Sequence, residues 1–423
     1  MPSSPGVSRG LTALVAASLV LGVAFRLVWP SDMEWKADEK VMFEASQRVG
    51  VSEPWPWVGM RSGVGTPNPG MSMWAFAGLA RVSGARDPVA LGRAVMVLNA
   101  AALLLLLLFA ASVPEPGERP AWLWATALAA VNPGAVQLQR KIWTQSILPA
   151  FCLAALYGWW NRRTRWGAFL WGAIGACVAQ IHMAGFFFAA GLAGWTLAFD
   201  RRPPGAGPAR WGWWMLGSAA TGWPVIPWAS AVLGGGAKGR AAYDWAEAIR
   251  PRFWGEWLIH LSGLQTAHSL GRRGFLEWIA EPRVSGTPTY LLAAAVLACC
   301  VLVLAIAALA GRALWASRAT WRSFVPGAPS SGLLQNAAFL GYGLLLTASG
   351  FRVHPHYLIV AYPMFYVWLA RAALLSPRGR QMLLALWALH VALSIAFLSW
   401  VHVRGGSPGG DYGVAYSRQV KDR

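Results

Sequence analysis

The sequence predicts an all-α membrane protein, a bundle of about eleven transmembrane helices. Hydrophobic residues make up 56% of the 423 residues and charged residues only 13%, and several apolar runs are long enough to cross a bilayer. No repeat or soluble domain boundary is visible, so residues 1–423 are treated as a single integral membrane domain. The net charge is +19, and much of it lies in short loops between spans, where positive charge indicates the orientation of the protein in the membrane. We therefore expect membrane lipids and lipid phosphates as partners, and no nucleic acid.

Residues 11–29 form the first predicted span, about 28 Å of helix at a rise of 1.5 Å per residue. A cleaved signal peptide is the competing interpretation, but no small-x-small site follows the apolar run. We therefore predict an uncleaved helix. Arg26 lies within this run, and we expect it to snorkel to the outer interface or to pair with Asp32.

Ten further spans follow as apolar runs between polar or basic loops. Residues 166–199 are long enough for a tight helical hairpin whose middle holds His182, and the span 211–233 is bent by Pro224 and Pro227. The ten predicted spans lie at 92–113, 121–138, 142–160, twice within 166–199, and at 211–233, 289–310, 332–349, 356–370 and 381–400.

Positive charge predicts the orientation of these spans. The basic loops NRRTR, DRRPPGAGPAR, 312–322 and 371–380 all fall on one side under strict alternation, and that side is expected to be cytoplasmic. The amino terminus then lies inside, and the first outer loop (30–91) and the large outer loop (234–288) lie outside. We predict a multi-pass protein of a bacterial cytoplasmic (inner) membrane whose active site faces the periplasm.

The first outer loop begins with an acidic stretch, SDMEWKADEKVMFEASQR, which places five acidic residues within thirteen positions. Asp38 and Glu39 stand side by side, and apolar residues then recur at helical spacing, as on an interfacial helix lying against the membrane. Ionisable groups are costly beside a bilayer, so their concentration here favours a functional site. The structural alternative is that Asp38 caps the helix and Glu39 lies in its first turn.

Four stretches together resemble membrane glycosyltransferases of the GT-C architecture. They are WKADEKVMFEA, NPGAVQLQRKIWTQSILPAF, AQIHMAGFFF and FRVHPHYLIVAYPMF, and they occur in this order across most of the chain. The chain is similar in particular to the bacterial relatives of protein O-mannosyltransferases and of the aminoarabinose transferase that modifies lipid A, the glycosyltransferase families 39 and 83. The resemblance implies transfer of a hexosyl or pentosyl group from a polyprenyl-phosphate carrier to a lipid, glycan or protein acceptor.

Such a transfer needs a base for the acceptor hydroxyl and positive charge for the departing phosphate. Asp38 matches the acidic residue that these families place in the first outer loop, and we predict it as base or metal ligand, with Glu39 as second choice. A divalent cation, Mg or Mn, is a possible cofactor, and Asp32 lies close enough to Asp38 in sequence to contribute to its site. Glu34 is expected to be solvated or paired with Lys36.

Cationic and aromatic residues at the predicted outer face suit a lipid phosphate or a sugar. Arg140 and Lys141 can bind phosphate, with membrane snorkelling as the alternative. His182 is predicted to contact substrate or to be a buried histidine bonded to a carbonyl. The resemblance implies a phosphate-binding role for Arg352. It also implies that His356 and Tyr357 form part of the wall of the cavity.

The sequence departs from the aminoarabinose-transferase pattern at one point, because Gln139, Thr144 and Gln145 leave the second loop without a further carboxylate. Two other functions stay open. A transporter or lipid-linked sugar flippase would also line a substrate path with polar groups, although we find neither repeat symmetry nor charges near the midplane. A non-catalytic assembly subunit is the third alternative.

Overall fold

The computed structural model describes residues 8–62, 66–113, 115–200, 207–234, 243–316 and 330–421. Parts of two predicted basic loops and of the large outer loop lie outside these ranges. Within them, the α-helices are α1 Arg9–Leu27, α2 Ala37–Arg48, α3 Met71–Ser83, α4 Pro88–Ser112, α5 Arg119–Val131, α6 Pro133–Leu138, α7 Leu148–Trp160, α8 Arg165–Ile181, α9 Ala184–Phe199, α10 Trp211–Gly222, α11 Val225–Gly234, α12 Trp245–Ile249, α13 Arg252–Ser262, α14 Gln265–Ile279, α15 Leu291–Ala316, α16 Ser330–Asn336, α17 Tyr342–Ala348, α18 Met364–Leu374, α19 Gly379–Arg404 and α20 Tyr416–Lys421.

The remaining elements are short. Short 3-10 helices cover Pro30–Asp32, Thr144–Ile147 and Pro355–Ala361, and a short π-helix covers Ala337–Gly341. Three two-stranded antiparallel hairpins are formed by the strands β1 Val58–Arg61 with β2 Pro67–Pro69, β3 Arg283–Val284 with β4 Thr287–Pro288, and β5 Gly406–Ser407 with β6 Gly413–Val414.

The prediction of an all-α multi-pass membrane protein is confirmed. Among the described residues, four helices are long and apolar enough to cross a membrane, namely α1, α4, α15 and α19. The 3-10 turn Pro355–Ala361 and α18 make a fifth if this pair, bent by 80°, counts as one span. Helices occupy the other predicted positions too, but they are shorter or broken there. The number of eleven spans therefore stays a prediction.

Helix α5 lies at the centre of the bundle. Every residue from Ala121 to Val131 is buried, and α1, α4, α18 and α19 all pack against it. Pro133 separates α5 from α6, and since proline lacks an N–H it cannot bond the carbonyl of Ala129 four residues earlier. The end of α5 therefore needs donors from another part of the chain.

Arg26 supplies those donors, contrary to our expectation that it would snorkel or pair with Asp32. Its side chain is completely buried and donates to the carbonyl of Ala130 at 2.8 Å, to that of Ala129 at 3.3 Å, and to Gln139 Oε1 at 2.7 Å. The guanidinium fork reaches several acceptors at once, which suits a broken helix end. Arg26 thus joins α1 to α5 and α6.

The helices α7, α8 and α10 approach one another through glycine. A methyl group at Gly158 would meet the backbone of Trp171, and methyl groups at Gly172 and Gly217 would meet backbone carbonyls across the α8–α10 contact. Small residues allow close packing of this kind in membrane helices, where apolar surface alone gives little drive for association. This packing fixes α8, and hence the turn that follows it at His182.

We expect Arg26→Met to destabilise the protein by roughly 3 kcal/mol, because a hydrogen bond to a charged donor contributes about 1.5–3 kcal/mol and several acceptors lose their partner. Thermal unfolding in detergent measures the effect. Arg9→Met, at the exposed start of the same helix, serves as control. Equal unfolding midpoints for the two variants would contradict the proposed role of Arg26 in capping the end of α5.

Candidate active site

The four stretches that carry the sequence resemblance meet at one end of the bundle. Lys36 immediately precedes α2, Lys141 and Trp143 follow α6, His182 separates α8 from α9, and His356 lies between α17 and α18. A chain of contacts connects them. We call this group the polar cluster; its residues are Glu34, Lys36, Glu39, Lys141, Trp143, His182, His354, His356, Tyr357 and Asp411.

Glu34 is the anchor of the polar cluster. Its side chain is 1% exposed and accepts from Lys141 Nζ at 2.7 Å, while Lys36 Nζ lies 2.6 Å from its other oxygen. The Lys36 pairing agrees with the expectation from the sequence. Lys141 is itself almost fully buried, so the pair is shielded from water. Removing Glu34 would leave the buried Lys141 ammonium without its ion-pair partner, which is strongly destabilising.

Lys141 is held in place from two sides. The buried Asn99 of α4 donates to the carbonyls of Gln139 at 3.2 Å and Ser146 at 2.8 Å, which fixes both ends of the loop that carries the lysine. The ammonium lies 4.0 Å from the ring centroid of Trp143, a cation–π contact. Loop and ring together leave the lysine directed at Glu34.

Asp38 and Glu39 have different surroundings although they are neighbours in α2. Asp38 is exposed, whereas Glu39 is 1% exposed and belongs to the polar cluster. Burial, together with the negative charge of Glu34, raises the pKa of Glu39 from 4.5 to about 7, against the opposing attraction of Lys141 and Lys36. Glu39 also accepts from the backbone N–H of Lys36 at 3.0 Å, as a residue in a first helical turn does. Of the two carboxylates, Glu39 is therefore the one whose pKa allows it to exchange a proton near neutral pH.

Aromatic rings form the other half of the polar cluster. The ring of His356 lies 4.7 Å from Trp143, 5.9 Å from His182 and 4.9 Å from Tyr357, measured between centroids. His354 stacks on His356 at 5.5 Å. The backbone N–H of Ala184 donates to His182 Nδ1 at 3.3 Å, which leaves Nε2 for the cluster. Imidazole rings in this arrangement can bind sugar hydroxyls or a phosphate.

The segment 405–421 contributes a residue that the sequence did not predict. Lys36 Nζ donates to the backbone carbonyl of Asp411 and lies 3.3 Å from its carboxylate, and His268 Nε2 of α14 lies 4.0 Å from the same side chain. The attraction of Lys141 and Lys36 overcomes burial and lowers the pKa of Asp411. No motif marks this aspartate, since it follows a glycine-rich turn far from the other acidic residues.

Arg140 and Arg352, the two predicted phosphate-binding arginines, differ in their surroundings. Arg140 is buried, and its guanidinium donates to the carbonyls of Val28 at 2.6 Å and Trp29 at 3.0 Å and also to that of Phe25, which caps the end of α1. Both Nη groups of Arg140 are therefore bonded to backbone carbonyls, and Arg140 is a capping residue rather than a phosphate ligand. Arg352 is exposed beside His354 and stays a candidate for that role.

The predicted metal ligands Asp38 and Asp32 do not fit a divalent cation well. Both oxygens of Asp32 are engaged, since Ser417 Oγ donates to one at 2.7 Å and His402 Nδ1 lies 2.7 Å from the other. In the part of the chain that the structure describes, no group of three or more His, Cys, Asp or Glu side chains has metal-binding geometry. The cation requirement stays a prediction, and no chemical step below depends on it.

No protein-family model matches the chain, and no curated protein matches it. Among solved structures, it is similar to the arabinofuranosyltransferase AftD from Mycobacteria, with 18% identity and a TM-score of 0.44 over 95% of this chain and 28% of AftD. It is also similar to the Archaeoglobus fulgidus oligosaccharyltransferase in the apo form, with 14% identity and a TM-score of 0.42 over 96% of this chain and 56% of that chain.

A third similar structure is that of the oligosaccharyltransferase AglB from Archaeoglobus fulgidus in complex with an inhibitory peptide and a dolichol-phosphate. Its identity is 13% and its TM-score 0.41, over 91% of this chain and 56% of AglB. All three proteins are glycosyltransferases, the class that the sequence resembles. The chain spans little more than half of the length of each oligosaccharyltransferase chain and 28% of the AftD chain.

The raised pKa of Glu39 predicts a pH-dependent stability. The folded state holds the Glu39 proton more tightly than the unfolded state, so the stabilisation is complete below pH 4.5 and is lost as pH rises through about 7. Wild type should therefore lose stability relative to Glu39→Gln between pH 5 and pH 8, by on the order of 3 kcal/mol at about 1.4 kcal/mol per pKa unit.

Thermal unfolding midpoints in detergent at several pH values measure this difference. Glu44→Gln changes an exposed carboxylate of the same helix and should follow wild type at every pH. A difference between wild type and Glu39→Gln that does not change with pH would show that Glu39 titrates normally.

Proposed function

We propose that the protein transfers a sugar from a polyprenyl-phosphate-linked donor to an acceptor hydroxyl on the non-cytoplasmic side of the membrane, by inverting displacement. The observation that carries this proposal is the convergence of the four resembling stretches in one polar cluster. Buried carboxylates, a buried ammonium and a set of imidazole rings lie together there, although their positions in the chain run from residue 34 to residue 411.

The proposed reaction is a single displacement at the anomeric carbon. The acceptor oxygen attacks this carbon, the bond to the phosphate oxygen breaks, and the phosphate leaves with the electron pair. Glu39 receives the hydroxyl proton, a task that suits a carboxylate whose pKa lies near neutral pH. The sequence predicts Asp38 for this role. Asp38 is exposed, however, whereas Glu39 is buried within the polar cluster, so Glu39 is the better candidate.

Two cations would stabilise the departing phosphate. Lys141 presents a point charge held by Glu34 and Trp143, and Arg352 lies on the segment between α17 and α18. Burial and the charge of Arg352 lower the pKa of His354, so this ring acts there as a neutral imidazole. Fixed charges in a water-poor site stabilise developing negative charge without reorganisation at the moment of reaction. His356, Tyr357 and Trp143 would form the wall against which the sugar lies.

The first experiment measures glycosyl transfer from a panel of radiolabelled polyprenyl-phosphate sugars to native membrane acceptors. We expect transfer by wild type, a loss of about 10²–10⁴-fold in Glu39→Gln, as for removal of a general base, and a loss below about tenfold in Asp38→Asn. Glutamine keeps an acceptor for the Lys36 N–H, so the start of α2 is preserved in the variant.

Two outcomes would change the proposal. A larger loss in Asp38→Asn than in Glu39→Gln would return the role of base to Asp38. No transfer by wild type from a broad panel would favour the transporter or flippase, since those functions need no base.

The proposed sidedness can be tested by cysteine labelling. Glu44→Cys, on the exposed face of α2, is a suitable probe. A membrane-impermeant maleimide should label it in intact cells. Arg165→Cys, at the exposed start of α8 on the predicted cytoplasmic side, should be labelled only after permeabilisation, and unmodified protein controls for the four native cysteines. The reverse pattern would place the polar cluster in the cytoplasm.

A further inference from the structure

A membrane-facing groove lies between α14, α15 and α19, apart from the polar cluster. Its volume is about 660 Å³, within the range of about 300–1,000 Å³ typical of ligand pockets. Helices α15 and α19 are two of the long apolar helices, so this groove opens towards lipid. Its walls are mainly apolar and are formed by Pro282, Leu292, Ala392, Ile395, Ala396 and Val403.

Trp278 gives the groove a hydrogen-bond donor. The side chain lines the groove and is completely buried, and its Nε1 has no hydrogen-bond partner among the residues that the structure describes. Burying an N–H without an acceptor is costly, and buried indole N–H groups usually find a partner. Because Nε1 has almost no accessible surface in this structure, an acceptor oxygen on a molecule in the groove would satisfy it once the indole ring turns towards the groove.

The outer end of the groove carries excess positive charge. Arg404 Nη2 lies 3.6 Å from Glu281 Oε1, and Arg283 Nε lies 3.6 Å from the same oxygen. Two guanidinium groups thus share one carboxylate. Arg404 is 58% exposed at the last residue of α19, where a charged side chain meets the headgroup region. A phosphate at this position would find a bidentate partner.

We propose that this groove binds an anionic glycerophospholipid of the surrounding membrane. One acyl chain lies along the apolar walls, an ester oxygen accepts from Trp278 Nε1, and the phosphate binds Arg404. These are partners for the three parts of a glycerophospholipid, namely its hydrocarbon chain, its ester oxygen and its phosphate. The lipid-linked donor fits less well, because a prenyl chain offers no ester oxygen to Trp278 and the donor phosphate belongs in the polar cluster.

Native mass spectrometry of the delipidated full-length protein tests this site. The protein is titrated with palmitoyl-oleoyl phosphatidylglycerol and, separately, with the matching phosphatidylcholine. We expect phosphatidylglycerol to bind more tightly, and Arg404→Gln to weaken its binding about tenfold, as expected for loss of a charge-assisted hydrogen bond. Trp278→Phe keeps the ring but removes the N–H, and it should weaken both lipids.

A further variant tests the groove itself, with a control on the outer face of a neighbouring helix. Ala396→Trp should fill the groove and abolish retention of both lipids. Leu304→Trp, on the exposed face of α15, is the control and should retain them. Arg312→Gln, at the other end of α15, controls for loss of one arginine. Equal binding of the two lipids by wild type, or an Arg404→Gln variant that matches Arg312→Gln, would overturn the proposal. Should Trp278→Phe or Ala396→Trp fail to fold, Arg404→Gln decides, because its side chain is exposed.

Discussion

The buried ion pair between Lys141 and Glu34 is the interaction on which the rest of the site depends. It joins residues that are 107 positions apart, and both charges are out of water. The desolvation of two ions costs several kcal/mol for each, and it is repaid only by good geometry and additional partners. Here Lys36 and the Trp143 ring are those partners. A consequence appears at Glu39, where burial and, after it, the charge of Glu34 raise the pKa of the carboxyl to about 7.

The sequence predicted the helical membrane fold and the segments whose side chains meet in the polar cluster, because both follow from local patterns. Apolar length identifies a span, and polar residues between spans identify the ends of the bundle. His182, His356 and Lys141 therefore converge as expected. The preference for Glu39 over Asp38 could not be predicted, because adjacent residues of a helix point in directions about 100° apart, and only packing against the next elements decides which of them is buried.

The arginines show a second limit of local patterns. An arginine near the end of an apolar span normally reaches the interface, yet Arg26 and Arg140 are both turned into the protein. The cause lies in other helices, since Pro133 interrupts the backbone hydrogen bonds of α5 and the end of α1 leaves carbonyls free. Neither requirement is visible around residue 26 or residue 140. Asp411 is a third such case, because its place in the cluster depends on the path of the segment 405–421.

That path has a consequence for the order in which the protein matures during synthesis. Asp411 and Tyr412 leave the ribosome after every helix from α1 to α19. The Tyr412 hydroxyl then donates to the backbone carbonyl of Asp32, and the Tyr412 N–H donates to the backbone carbonyl of Ser269 at 2.8 Å. A nascent chain that has already inserted these helices still lacks one carboxylate of its polar cluster. Because domains fold as their parts emerge, assembly of the polar cluster would follow the insertion of α1 to α19.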